Sequence, residues 1–424
     1  MPPRKRWKPP LLPVPPGRFR ELVRAVCTDT YKGSLDAFVY GPIEDWDVSE
    51  IEDMSRLFEN RWTFNCDLSR WNVSRVTTMR GMFLHAKAFN QPIDGWDVGR
   101  VTDMSHMFEG AQAFNQPLES WDVGRVTNME KMFSDAGAFN QPLEGWDVGQ
   151  VTDMNYMFYK ALAFDQPLER WDVGHVTNMR SMFSGARGFN QPLGGWDVSR
   201  VTNMRRMFYR AFAFNQPLGT WNVGQVRSMH GMFHDAWTFN QPLDSWDVSQ
   251  VTDMEEMFDG TRAFNQPLGS WNVSRVMNMR SMFRCTQAFN APIGGWDTGA
   301  VTMMHGMFCG ARAFNQPLEG WDVSRVWNME EIFAYTWVFD QPLGNWNLAR
   351  ATRIPSMFLE ARAFRGRGLE SWDVSRTENL HGIFAKSPLT APTSWCVPPT
   401  TITVDRDIRV RPLRAGPRHV GLLC

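Results

Sequence analysis

The chain has 424 residues and a formal net charge of -1 at pH 7, so its overall charge predicts no attraction to nucleic acid or to an anionic membrane. No apolar run approaches the roughly 20 residues that span a bilayer. The six cysteines have no C-x-x-C spacing, so they indicate neither a zinc site nor a small disulfide scaffold. No cofactor is expected from the composition.

The two ends of the sequence are rich in proline and arginine. Residues 1–18 form a basic arm that contains Arg4, Lys5, Arg6 and Lys8, and residues 397–424 form a basic tail. The arm lacks the apolar stretch of a signal peptide, and the tail lacks a prenylation motif. We therefore expect an intracellular or virion-associated protein rather than a secreted one. Three interpretations of the arm stay open: a solvated tail, a segment that docks on an acidic surface of the same or another copy, or a nuclear-import signal in the run PRKRWK.

Tryptophan recurs every 25 residues from Trp46 to Trp346, and a fourteenth, Trp372, follows after one extra residue. We number the positions of each repeat from this Trp, so that Met falls at positions 9 and 12 and Phe at positions 13 and 19. A fixed period of this size is typical of solenoids, in which each unit buries its apolar face against its neighbours. Met and Phe in fixed columns therefore indicate core residues.

Capping segments are expected at both ends of the array, because an uncovered end would promote aggregation. Residues 19–27 read as an amphipathic helix, which places an N-terminal cap at 19–45. Thirteen repeats then occupy 46–371, the last with one extra residue. A degenerate repeat that serves as the C-terminal cap occupies 372–396.

Residues 96–120 illustrate the repeat. Residues 93–98 have the Leu/Ile-x-x-Trp-x-Val spacing of a strand in a leucine-rich repeat. Thr102 then precedes apolar residues at 104, 107, 108 and 111, the spacing of a short helix with Thr102 as its N-cap. A proline turn follows, and Asn at position 20 is expected to bond the loop backbone. The sequence predicts an α/β solenoid of about 14 stacked strand–turn–short-helix units.

The string W-D-V-S-x-V-T-x-M-x-x-M-F-x-x-A-x-x-F-N-Q-P-L resembles the 25-residue repeat of the BspA-like leucine-rich-repeat surface proteins. That family is known from mycoplasmas and other bacteria and is abundant in some algae and large DNA viruses. The resemblance covers residues 19–396, including the lead-in FRELVRAV. It implies an adhesion or recognition protein, although many members have no known function.

Acidic side chains form two columns beside the predicted strands, at positions 2 and 24, and arginine recurs at position 5. We interpret this surface as a candidate binding face for a protein partner, which would be basic. Two other interpretations are an Asp–Arg ion-pair lattice, with Asp also capping the following turn, and a calcium ladder. The candidate residues are Asp97, Asp122, Asp147, Asp172, Asp197, Asp247, Glu119, Glu144, Glu169, Arg100, Arg125 and Arg200.

No column combines a nucleophile with a base, so we expect no enzymatic activity. The one pair that suggests a metal site is His230 and His234, four residues apart on a predicted helix, with Glu255, Glu256 and Asp259 one repeat further on. The sequence therefore predicts a non-catalytic repeat protein for recognition or adhesion. The alternative is a structural component that self-assembles in a particle or a cell coat.

Overall fold

The computed structural model describes residues 12–28, 30–32 and 34–395. The chain forms two compact units, Met1–Val176 and Thr177–Cys424. The predicted basic tail, and the part of the predicted arm that holds Arg4, Lys5, Arg6 and Lys8, lie outside the described residues. Both units are built from the same 25-residue coil, one for each sequence repeat.

Two α-helices precede the first coil: α1 (Pro16–Cys27) and α2 (Leu35–Tyr40). The helix predicted over 19–27 is present but begins at Pro16, inside the segment assigned to the arm, because proline fits the first turn of a helix. Phe19 of α1 is buried and packs on Trp46 and Trp71, with ring centroids 6.4 and 5.8 Å apart. The helix therefore covers the apolar end of the first coil.

The predicted strand and α-helix of each repeat are wrong. Over the described residues of the coils, the backbone is a succession of β-turns, and the only helix is the short 3-10 helix Leu369–Ser371. In one coil Met107 N–H donates to the Met104 carbonyl (3.2 Å) around His106, which has φ 61°. A second such turn follows around Gly110, with φ 70°. Positions 11 and 15 have positive φ in every coil, as the third residue of a type II turn requires.

The direction of the backbone hydrogen bonds explains why no helix forms. Met79 N–H donates to the Asp103 carbonyl (3.0 Å), and Gly81 N–H donates to the Ser105 carbonyl (2.8 Å), each in the next coil. An α-helix would use these N–H groups internally. The bonds between coils include single parallel bridges at position 8, such as Asp103 with Asn128. The apolar spacing that resembles a helix thus results from consecutive turns that place positions 9, 12, 13 and 16 in the core.

The predicted aromatic and methionine core is confirmed. In the first unit Trp96 and Trp121 stack with ring centroids 6.4 Å apart and planes at 6°. In the second unit Trp221 and Trp246 stack at 6.5 Å and 1°. Phe at positions 13 and 19 and Met at positions 9 and 12 are fully buried in most coils. Aromatic pairs of this kind add about 0.5–1.5 kcal/mol each beyond the burial of their surface.

The tryptophans at position 1 also satisfy buried backbone groups. The Trp121 indole N–H donates to the Ile93 carbonyl (3.0 Å), and the Trp246 indole N–H donates to the Leu218 carbonyl (2.9 Å). In both cases the acceptor is the backbone carbonyl of a position 23 residue that lies 28 residues before the Trp in the sequence. Phe could fill the same space, but the carbonyl would lose one of its two donors and keep only the backbone N–H three residues further on, as Leu218 keeps that of Trp221 (3.1 Å). The column therefore selects tryptophan.

The predicted asparagine ladder is confirmed. The Asn90 side-chain oxygen accepts the backbone N–H of Asn115 (2.9 Å) and the side-chain amide of Gln116 (3.0 Å). Asp340 takes the same role in the second unit, where its carboxylate accepts the N–H of Arg365 (2.8 Å). Position 20 thus needs an acceptor, because the turn leaves an N–H group that the coil itself does not satisfy.

The second unit adjusts its backbone where the sequence has one extra residue. Gly368 has φ 85°, and the 3-10 helix Leu369–Ser371 follows it. Trp372 then returns to the tryptophan column, and Trp395 stacks on it with centroids 6.3 Å apart. The Trp395 indole N–H donates to the Leu369 carbonyl (2.9 Å), so the last described residue continues the column.

We predict that Trp246→Ala lowers the free energy of unfolding by about 3–5 kcal/mol, because the residue is 3% exposed and its removal leaves a cavity. Trp246→Phe should lower it by about 0.5–1.5 kcal/mol, since the Leu218 carbonyl then loses the indole N–H and keeps only the backbone N–H of Trp221 (3.1 Å). Urea denaturation of both variants measures these values. A Phe variant as stable as the wild type would show that the indole hydrogen bond contributes nothing.

Candidate functional site

Aspartate at position 2 is exposed, and its carboxylate caps a turn within its own coil. The Asp122 carboxylate accepts the N–H of Gly124 (3.1 Å), and the Asp247 carboxylate accepts the N–H of Ser249 (3.0 Å). The pKa of the Asp247 carboxyl is lowered, first by the Ser249 hydroxyl and then by this N–H. The six predicted residues of this column all bond position 4 in this way: Asp97, Asp122, Asp147, Asp172, Asp197 and Asp247.

The predicted Asp–Arg lattice is not formed. Within the described ranges no ion pair joins an arginine at position 5 to an aspartate at position 2. Arg75 instead contacts Glu50 and Glu52 of the preceding coil, both at 2.7 Å, and Arg275 donates to Gln250 (2.7 Å). Arg75 and Arg275 therefore reach back to positions 5 and 7 of the coil before them. The charge of Arg200 does help to lower the pKa of the Asp197 carboxyl, after the Ser199 hydroxyl and backbone N–H, without an ion-pair contact.

The other predicted residues of this face do not converge on one point. The position 5 side chains Arg100, Arg125 and Arg200 are exposed, as are Glu119 and Glu169 at position 24. Glu144 is half-buried, and its carboxylate lies 3.4 Å from Arg170. The face thus offers charged groups in rows along the described coils. Its role as a binding surface stays a prediction.

A second surface, at position 17, was not predicted. We name it the aromatic–arginine row and define it in the second unit by Arg187, Phe212, Trp237, Arg262, Arg312, Trp337 and Arg362. Little in the repeat pattern indicates this surface, because position 17 has no consensus residue. Its only sign was the excess of Trp and Arg in a variable column. All seven side chains are half-buried or exposed.

Neighbouring members of the aromatic–arginine row lie face to face. Phe212 and Trp237 stack with centroids 4.0 Å apart and planes at 19°. The Arg262 guanidinium lies 4.7 Å from the Trp237 ring centroid, on the next coil. Trp337 has a guanidinium from each neighbouring coil, Arg312 at 4.2 Å and Arg362 at 4.9 Å. The row therefore presents flat side chains whose orientation is fixed before any partner binds.

Histidines and carboxylates meet in the coils that begin at Trp221 and Trp246. The His234 imidazole contacts three carboxylates: Asp235 (3.6 Å), Glu256 (3.5 Å) and Asp259 (3.8 Å). Burial lowers the pKa of His234, but Glu256, Asp259 and Asp235 outweigh burial, so the pKa is raised. His234 in turn lowers the pKa of Glu256 to about 2. Burial raises the pKa of Asp259 to about 6, although His234 and Arg284 oppose the shift.

His230 contacts a different set of carboxylates. Its imidazole lies 3.5 Å from the Glu255 carboxylate, and Asp253 completes a group whose ligand atoms all lie within 4.8 Å of one another. The His230 imidazole lowers the pKa of Glu255, and Asn278 and Arg280 lower it further. The prediction that His230 and His234 form one site is therefore wrong. It assumed one helical face, whereas here the two histidines occupy separate turns and contact separate carboxylates.

The sequence profile described as "Mycoplasma protein of unknown function, DUF285" matches the chain four times, over residues 28–146, 137–244, 186–296 and 279–395. The chain belongs to this family. Together the four matches cover residues 28–395 of this DUF285 protein. No curated protein matches it in sequence.

Two solved structures have a low similarity to this DUF285 protein. The leucine-rich repeat domain of APL1B is 9% identical, with a TM-score of 0.24, over 74% of this chain and 88% of that one. The functional domain of InlJ from Listeria monocytogenes is 10% identical, with a TM-score of 0.17, over 68% of this chain and 63% of that one. In the part of the chain that the structure describes, no helix is long and apolar enough to cross a bilayer.

The raised pKa of Asp259 predicts a pH dependence of stability. Its folded value of about 6 exceeds the ordinary 3.8, so the stability due to its protonation is present below about 4 and is lost as the pH rises through 6. Asp259→Asn keeps the group neutral at every pH. We expect this variant to raise the melting temperature at pH 8 by more than at pH 5, measured by thermal unfolding in both buffers. Equal changes at the two pH values would contradict the assignment.

Proposed function

We propose that this DUF285 protein is a non-catalytic recognition module whose aromatic–arginine row binds an acidic segment of a partner protein. The observation that supports this most is the exposure of stacked Trp, Phe and Arg side chains in one row. Trp and Arg are the residues that contribute most to binding energy at protein interfaces. The structure gives these side chains no role in the core, and a binding role accounts for their exposure.

The row is also preorganised. Both tryptophans of the row contact side chains on the two adjacent coils. Trp237, for example, contacts Phe212 and Arg262. Side chains that are already ordered lose less conformational freedom on binding, so more of the contact energy appears as affinity. Exposed cation–π contacts contribute only about 0.5–1 kcal/mol each to the fold itself. The contacts within the row therefore add little to the free energy of unfolding, although the row exposes a large aromatic surface.

The charge of the row selects the partner. The four arginines of the row have no carboxylate beside them at position 17, where Gln287 is neutral. One of them, Arg362, also contacts Glu360 at position 15 (3.5 Å). Acidic side chains of a partner would pair with the guanidinium groups while apolar groups cover the indole rings. The acidic columns at positions 2 and 24 are the competing surface and would select a basic partner. Self-assembly remains the alternative function.

The chain offers a matched pair of variants to test the row. Trp337 at position 17 is 37% exposed, and Trp327 at position 7 of the same coil is 42% exposed. Because Gln287 already occupies position 17 of another coil, Trp337→Gln should fold normally, and Trp327→Gln serves as the control. Peptides are selected from a displayed random library against the full chain, and their affinities are measured by calorimetry.

We expect acidic peptides to be selected, Trp337→Gln to weaken their binding at least about tenfold, corresponding to roughly 1.4 kcal/mol, and Trp327→Gln to leave it unchanged. If basic peptides were selected instead, and if Asp247→Asn lost their binding, the binding surface would be the acidic columns at positions 2 and 24. Concentration-dependent assembly of the pure chain in sedimentation velocity, without any selected peptide, would favour the structural alternative. Equal loss in both Trp variants would also contradict the proposal.

A further inference from the structure

Stacked coils bring His230, Asp253 and Glu255 together in the second unit. His230 stands at position 10 of the coil that begins at Trp221. Asp253 and Glu255 stand at positions 8 and 10 of the next coil. The three groups offer one imidazole nitrogen and two carboxylate oxygens, and these atoms all lie within 4.8 Å of one another. The register of the stack produces this arrangement, since the residues are 23 and 25 apart in sequence.

The His230 side chain is buried and lacks a hydrogen-bond partner. Only 7% of the residue is exposed, and neither ring nitrogen has a partner among the described residues. Its nearest carboxylate, that of Glu255, is 3.5 Å away, longer than a normal N–H···O bond. A buried polar group without a partner destabilises the fold, so an occupant that bonds the imidazole nitrogen would remove that penalty.

The two carboxylates are held in place by neighbouring side chains. The Ser228 hydroxyl donates to Asp253 (3.1 Å). The Asn278 amide donates to Glu255 (2.9 Å) and to Asp253 (3.3 Å), and Arg280 donates to the other oxygen of Glu255 (3.0 Å). Such outer contacts orient the ligands of protein metal sites. With Arg280 counted, the group keeps one net negative charge when both carboxylates are ionised.

We propose that His230, Asp253 and Glu255 bind a divalent transition-metal ion of the zinc class. The imidazole favours such ions over magnesium and calcium, which prefer sites made only of oxygen. Three protein ligands of mixed nitrogen and oxygen type leave a position for water in a tetrahedral site. The ion would link two adjacent coils and stabilise their contact. This inference is independent of the proposed recognition function.

The same unit contains a comparison group that lacks one ligand. His305 occupies position 10 and lies 3.6 Å from the Glu330 carboxylate of the next coil. Position 8 of that coil is Asn328, where the first group has Asp253. The His305 group therefore has the imidazole and one carboxylate but not the second, and it should bind the ion poorly.

The test is a titration of the full chain, without a histidine tag and freed of metal by a chelator, with Zn²⁺ in a calorimeter. We expect one Zn²⁺ per chain and a higher melting temperature in its presence. His230→Gln and Asp253→Asn should each weaken binding at least about tenfold. His305→Gln should leave it unchanged.

Asp253→Asn keeps the fold intact, because asparagine occupies this position elsewhere. Asn278 accepts the N–H of Arg280 (3.1 Å), just as Asp253 accepts the N–H of Glu255 (3.1 Å). The melting temperature of the Asp253→Asn variant without metal verifies that this variant is folded. No Zn²⁺ binding by the wild type would overturn the proposal, and so would undiminished binding by Asp253→Asn. Loss of binding only in His234→Gln would place the ion among the neighbouring carboxylates and would also contradict it.

Discussion

Everything in each unit depends on the return of the chain to the same place after 25 residues. The indole N–H of a tryptophan such as Trp121 reaches one carbonyl, at position 23 of an earlier coil. The N–H groups at positions 9, 11, 13 and 15 reach carbonyls of the next coil, as Gly81 does with Ser105. A coil of another length would leave these groups buried and unpaired, which costs about 1–3 kcal/mol for each. Aromatic stacking then fills the space that the hydrogen bonds define.

The period and the core could be predicted from the sequence, because buried columns tolerate few residue types. The backbone could not, since consecutive turns place apolar side chains inward with the spacing of a short helix. Glycine marks the difference at only some coils, such as Gly81 at position 11 and Gly110 at position 15. Other coils have Lys131 or Asp135 at these positions with positive φ. Hydrogen bonds between coils offset this strain of about 1–2 kcal/mol per residue, and a single repeat gives no indication of them.

The candidate sites, like the backbone, could be predicted from the sequence only in part. The exposure of the aspartate column and its bond to the following turn could both be predicted, because Asp beside Trp alternates with core residues and Asp favours turns. The ion pairs with arginine at position 5, which were predicted with them, are not formed in the described part of the chain. The aromatic–arginine row depends on contacts between residues 25 apart in a column without consensus, such as Arg312 with Trp337. The group formed by His230, Asp253 and Glu255 was predicted only in part. Glu255 of the next coil was expected near His230, but the assumption of a helix added His234 and left out Asp253.

The most direct test of this account is to remove one whole coil. Deletion of residues 296–320 joins Gly295 to Trp321 and restores every column, because coils contact only their neighbours. Deletion of residues 296–307 removes about half a coil and places polar positions against the core. The account predicts that the first variant unfolds cooperatively on heating with its near-ultraviolet tryptophan signal retained, and that the second does not fold. Failure of the full-coil deletion to fold would contradict it and would indicate a closed architecture.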